Sequence, residues 1–178
     1  MKKISVVLIA ATMVLLLPRP AGAAPGRPIG FLLEGGKAWG EALSGPLASG
    51  KVFLPLARGL WLQAGYSHFF SPVMWGDPSG NRRSALAFGL QFMGRERGER
   101  LRWFVHGDGA SFRTRLENGP GAVVHEFGLG LGAGLEKPLS DRLGLRLDLR
   151  AWSLCSAHVG FLSDDAWVET SLGVYVRL

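Results

Sequence analysis

The sequence predicts an all-β fold, an eight-stranded antiparallel up-and-down transmembrane β-barrel preceded by a cleaved signal peptide. Residues 1–23 have the layout of an export signal. After them, apolar residues recur at period two along successive segments. The joins between those segments alternate between short and long.

The export signal comes first in the chain. Lys2 and Lys3 form a positive start, Ile4 to Leu17 is apolar and uncharged, and Ala21-Gly22-Ala23 supplies an A-x-A cleavage pattern, with cleavage expected after Ala23. The apolar run is shorter than the roughly 20 residues a spanning helix needs. Residues 24–178 then form one domain. Loss of Lys2, Lys3 and Arg19 with the signal lowers the formal charge from +6 to +3, too weak a basic balance to indicate a nucleic-acid partner. Cys155 is the only cysteine and cannot form an internal disulfide. No Cys/His spacing indicates zinc, and no motif calls for a cofactor.

Eight strands follow, at about 29–37, 49–56, 60–70, 84–93, 101–112, 122–136, 143–153 and 166–178. Strand one alternates Ile29, Phe31 and Leu33 with Gly30, Leu32 and Glu34. Strand two is the least regular, being apolar throughout at Val52 to Leu54 and expected to end at Pro55. Strand three alternates Leu60, Leu62, Ala64 and Tyr66 with Trp61, Gln63, Gly65 and Ser67. Strand four alternates Leu86, Phe88, Leu90 and Phe92 with Ala85, Ala87, Gly89 and Gln91. In strand five Leu101, Trp103 and Val105 alternate with Arg102, Phe104 and His106. Strand six sets Phe127, Leu129, Leu131, Ala133 and Leu135 against Glu126, four glycines and Glu136. Strand seven is the most regular, with Leu143, Leu145, Leu147 and Leu149 against Gly144, Arg146, Asp148 and Arg150. Strand eight ends the chain, with Val168, Leu172, Val174 and Val176 against Trp167, Glu169, Tyr175 and Arg177.

Joins after strands two, four and six are short. Those after strands one, three, five and seven are longer and are expected as loops 38–48, 71–83, 113–121 and 155–165. Short turns on one side and long loops on the other, with an even strand number, are the rule for bacterial outer-membrane barrels. Both termini then lie on the short-turn side.

Alternation alone also describes a soluble lipocalin-like carrier with its leucines inside. Four features favour a membrane barrel. The non-leucine face of strand six is glycine-rich, which inside a narrow barrel makes room for large neighbours. Several predicted strands reach the roughly 9–11 residues needed to cross a bilayer at a tilt. The sequence stops on an apolar alternating strand, and the export signal brings the chain to an outer membrane. The leucine face is therefore expected to meet lipid. The inward face collects Glu34, Arg102, His106, Asp108, Glu126, Arg146, Asp148, Arg150, Glu169 and Arg177, which must pair as a plugging ion network. Aromatic girdles are expected from Trp39, Phe69, Phe70, Trp75 and Trp167 at the loop end and from Trp61 and Tyr175 at the turn end.

The stretches GLGLGAGLEKPLSDRLGLRLDLRAW (128–152) and VETSLGVYVRL (168–178) resemble the OmpA-like family of small outer-membrane β-barrels. The resemblance implies an integral, monomeric barrel whose C-terminal strand is read by the barrel-assembly machinery. Such barrels commonly end in Phe, whereas this sequence ends in Leu178, with Tyr175 and Val176 retained. The periplasmic domain that follows some members is not expected here.

For function, the expectation is a non-enzymatic barrel in contact with outer-membrane lipid, acting structurally, in adhesion or in ligand binding through its loops. Trp75, Asp77, Phe161 and Asp164 are the candidate loop contacts. The alternatives are a conduit for apolar compounds, a lipid A-modifying acyl hydrolase, and the soluble carrier. The His-x-Ser pattern of barrel deacylases is missing, although His68 and His125 are placed to face outward. His106 and Asp108, two apart on one face, read as network members before an acid–base or metal pair.

Overall fold

The computed structural model describes residues 29–40, 43–70, 72, 82–94, 101–115, 123–155 and 166–178. Eight strands close into one antiparallel barrel in chain order: β1 (Gly30–Trp39), β2 (Gly45–Ala57), β3 (Leu60–Phe69), β4 (Arg82–Met93), β5 (Arg102–Arg115), β6 (Val123–Pro138), β7 (Leu143–Cys155) and β8 (Ala166–Arg177). β1 pairs with β8 from Gly30↔Arg177 to Trp39↔Val168, which seals the cylinder. The beginning of β1 and the end of β8 both lie at the short-turn end, where the Leu178 amide donates to the Ile29 carbonyl at 2.9 Å.

The short turns are built locally. Between β2 and β3, Arg58 and Gly59 reverse the chain, and Gly59 takes a φ of 78° that favours glycine. Between β6 and β7, the Ser140 hydroxyl accepts from the Leu143 amide at 3.1 Å and the Arg142 amide at 3.3 Å.

All eight predicted strands form, but several run further toward the long loops. β2 begins at Gly45 rather than 49 and passes through Pro55 to Ala57. The proline fits because the register shifts between Pro55 and Ala57, and a residue without an N–H is tolerated at such an irregularity. β4 takes in Arg82 and Arg83, and β5 takes in Arg113 to Arg115, all expected in loops. Polar composition suggested loops there, but a closed sheet continues as long as its neighbour offers pairing partners: Arg82 pairs with Arg115.

The faces are sorted by parity along each strand. Leu143, Leu145, Leu147 and Leu149 point out of the barrel, while Gly144, Arg146, Asp148 and Arg150 point in. The contrast is large: Leu131 is 74 % exposed and Arg146 is 2 %. This arrangement is the reverse of a lipocalin-like carrier. A surface of exposed leucine, valine and phenylalanine around the whole cylinder far exceeds the few hundred Å² of contiguous apolar patch a soluble monomer shows. Hydrocarbon is the solvent it fits.

The glycines of β6 do what their spacing predicts. A Cβ on Gly128 would lie 2.9 Å from the Phe112 ring, and one on Gly130 would lie 2.8 Å from Trp152. One on Gly132 would overlap His106, and one on Gly134 would overlap Phe104. β6 is thus the thin wall against which the largest inward side chains of β5 and β7 pack. Gly132→Val is expected to prevent formation of the folded barrel, seen as loss of the slower-migrating boiled form's faster unboiled partner on a gel. Ala133→Val, one residue along on the outward face, is expected to leave that shift intact.

Candidate functional site

The lumen is filled in three layers. Nearest the long loops lies an aromatic plug. Phe112 meets Trp152 and Trp167 edge-on at 5.3 and 5.2 Å between centroids, and the two indoles stack at 6.3 Å. Leu47, Phe69, Ala85, Ala110 and Leu154 complete it. The Arg83 guanidinium lies over Phe112 at 4.6 Å and over Trp167 at 5.1 Å, and pairs with Glu126 at 3.1 Å. Glu169 accepts from the Trp167 indole at 3.1 Å.

The middle layer is the ion network, with Asp148 on β7 at its hub. One carboxylate oxygen takes Lys51 at 3.1 Å and Arg150 at 3.4 Å, and the other takes His106 Nε2 at 2.9 Å. His106 Nδ1 faces Asp108 at 2.7 Å, Arg150 reaches Asp108 at 3.2 Å, and the Gln63 amide donates to Asp108. Lys51 also pairs with Glu34 at 2.5 Å, which accepts from Ser49 at 2.6 Å. Arg146 lies 3.8 Å from Asp148 and stacks over Phe104 at 3.5 Å. Both nitrogens of His106 are occupied by carboxylates, so this imidazole is a bridge within the network and has no ring nitrogen left for a metal.

The third layer, at the short-turn end, is smaller. Glu136 pairs with Arg177 and lies 3.9 Å from Arg102. A shallow hollow opens there between Phe53, Trp61, Tyr175 and Arg177, with room of about 20 Å³, enough for a water molecule.

All ten inward residues expected from the sequence do face the lumen, but they form separate clusters. Glu34, His106, Asp108, Arg146, Asp148 and Arg150 meet in the middle. Glu126 and Glu169 belong to the aromatic end, and Arg102 and Arg177 belong to the turn end. Lys51, Arg83 and Glu136 are essential partners that the sequence reading omitted. Lys51 lay in the irregular strand two, and Arg83 lay in an expected loop. Glu136 sat on the correct face, one step beyond Gly134, and parity alone could have found it. With these three, the described inward strand residues carry six carboxylates and six permanent cations.

The girdle expectation needs correction. Trp39 and Phe70 face outward, but Phe69, Trp167 and Tyr175 are buried in the lumen and Trp61 packs inward beside Phe53 and Tyr175. Height along a strand does not fix the face, parity does: Phe69 shares its side with Gln63, Trp167 with Glu169, and Tyr175 with Arg177. At the turn end the outward aromatics include Phe92 and Trp103, paired at 5.9 Å. Trp75, Asp77, Phe161, Asp164, Ala21 and Ala23 lie outside the described residues.

On the outside, His68 and His125 both face outward as expected. Ser84 is the direct register partner of His68, and Arg113 is the partner of both Ser84 and His125.

Charge deletion should expose the hub. Asp148→Asn is expected to destabilise the barrel by about 3–5 kcal/mol, since it removes the carboxylate that Lys51, Arg150 and His106 share and leaves the buried cluster with excess positive charge. Unfolding midpoints in urea with lipid vesicles measure this. Lys51→Met combined with Asp148→Leu is expected to cost less than the two single changes together.

No family model matches the chain, and no curated protein matches it. Solved structures do. Neisserial surface protein A is 14 % identical with a TM-score of 0.62, covering 85 % of this chain and 96 % of that one. The N-terminal β-barrel domain of Pseudomonas aeruginosa OprF is 15 % identical with a TM-score of 0.62, covering 84 % and 97 %. The outer membrane enzyme PagL is 17 % identical with a TM-score of 0.51, covering 84 % and 99 %. The chain therefore has the fold of the small eight-stranded barrels of outer-membrane proteins.

Proposed function

We propose that this chain is an integral, monomeric protein of a bacterial outer membrane, without enzymatic activity. In this reading the barrel is a rigid anchor that holds its long loops outside the cell for a structural, adhesive or ligand-binding role. The observation that carries it is the two-sided sorting: leucine outward around the whole cylinder, and a charge-balanced, side-chain-filled lumen within. Eight strands enclose only enough room for side chains, and here indoles, guanidiniums and carboxylates occupy it. The export signal and the similarity in fold to NspA and the OprF domain support the location.

Membrane fractionation with gel migration before and after boiling tests the reading. The chain is expected to need detergent for extraction and to migrate faster unboiled, because every backbone group of a closed sheet is paired within it. In planar bilayers no steady current is expected. Single-channel currents altered by Arg146→Gln or Arg150→Gln would instead establish a conduit.

A second reading draws on His68 and Ser84, side by side on the lipid-facing surface of a fold shared with the enzyme PagL. Hydrolysis of an outer-leaflet ester needs a base and a hydroxyl in such reach. The usual orienting acid has no counterpart among the outward residues of the described strands. Lipid A mass spectra are expected to show the same acyl pattern with and without the protein. A deacylated species abolished by Ser84→Ala would establish the hydrolase.

A further inference from the structure

β4 contributes little polarity to the bore. Below Arg83 its inward side chains are Ala85, Ala87, Gly89, Gln91 and Met93, so Gln91 is the one polar group it sends toward the short-turn end. Gln91 is 1 % exposed, and its Oε1 has no hydrogen-bond partner among the described residues. Three strands round the cylinder, Arg146 on β7 is 2 % exposed. Its Nε and Nη2 have no hydrogen-bond partner among the described residues either, and its approach to Asp148 at 3.8 Å is longer than a hydrogen bond.

Both side chains line the hollow at the short-turn end. Its room of about 20 Å³ is that of a single water. Phe53, Trp61 and Tyr175 supply apolar walls. The Arg146 guanidinium stacks over Phe104 at 3.5 Å and lies 4.9 Å from the Phe53 ring. Stacking of this kind engages the faces of a planar cation and leaves its N–H edge in need of an acceptor. A buried acceptor and buried donors therefore border one water-sized space, and polar groups removed from water are costly until they are hydrogen-bonded.

We propose that the hollow is a binding site for one water molecule, which accepts from the Arg146 guanidinium and donates to Gln91 Oε1. The water carries the ion network from β7 across the bore to β4, the strand that no charged pair reaches at this level. Water is the small species that meets both demands. A halide accepts from a guanidinium but cannot donate, and it would lie against the Glu136 carboxylate, which lines the same hollow. Ammonium donates but cannot accept, and it would face Arg146 and Arg177 there. The inference stands on the lumen alone and is independent of what the long loops bind.

Gln91→Met tests it by sign, because it keeps the side chain's length and removes its polar atoms. A buried amide that holds no ligand is a burden whose removal raises stability, whereas one that holds a bridging water is a link whose removal lowers it. Urea unfolding with lipid vesicles is expected to show the folding equilibrium constant of Gln91→Met reduced about fivefold, the ratio that one net hydrogen bond contributes. A crystal of the unaltered chain grown in sodium bromide supplies the second measurement. The expected result is a solvent peak without anomalous signal, within about 2.7–3.2 Å of both Gln91 Oε1 and an Arg146 nitrogen. A Gln91→Met chain as stable as the unaltered one, or more so, overturns the proposal. So does a bromide signal at that position, a direct contact between the amide and the guanidinium, or the lack of any peak. Should Gln91→Met fail to fold, the crystal decides alone.

Discussion

A closed sheet leaves each residue only two places to go. The pleat points successive side chains to opposite faces, and closure of β1 on β8 removes any edge where the pattern could be relaxed. One face of this cylinder meets hydrocarbon and the other meets an interior too narrow for bulk water. Other features of the molecule follow from that division, including the glycine wall of β6 and the charge balance among the described inward residues.

Inside, the division forces neutrality. A carboxylate or guanidinium removed from water costs several kcal/mol unless it is paired, so cations and anions accumulate in equal number among the described inward residues. Asp148 connects β7 to β2 through Lys51 and to β5 through His106, and Arg150 closes a second link from β7 to Asp108 of β5. The network ties together strands far apart in sequence and on different sides of the barrel, a role that hydrogen bonds between adjacent strands cannot fill. The aromatic plug adds another set of cross-lumen contacts at the loop end, where Arg83 and its ring partners seal the bore.

Outside, the same rule operates with a different solvent. Leucine, valine and phenylalanine are favoured against lipid, and charge is confined to the ends of the strands.

By itself the sequence determined the strand number, the order of short and long joins, and the direction of most side chains, because period-two alternation is a local property that needs no knowledge of neighbours. It determined the ten inward residues for the same reason. Tertiary structure alone decided which of them meet. Glu126 finds Arg83 and Glu136 finds Arg177 only once the sheet has closed, since pairing across a lumen depends on register and curvature that no single strand encodes. Strand ends were also decided in three dimensions: β4 and β5 run on through arginines and β2 through two prolines because a paired neighbour was there to receive them. The outward row of His68, Ser84, Arg113 and His125 was decided the same way, its members lying on four strands until antiparallel register brought them level.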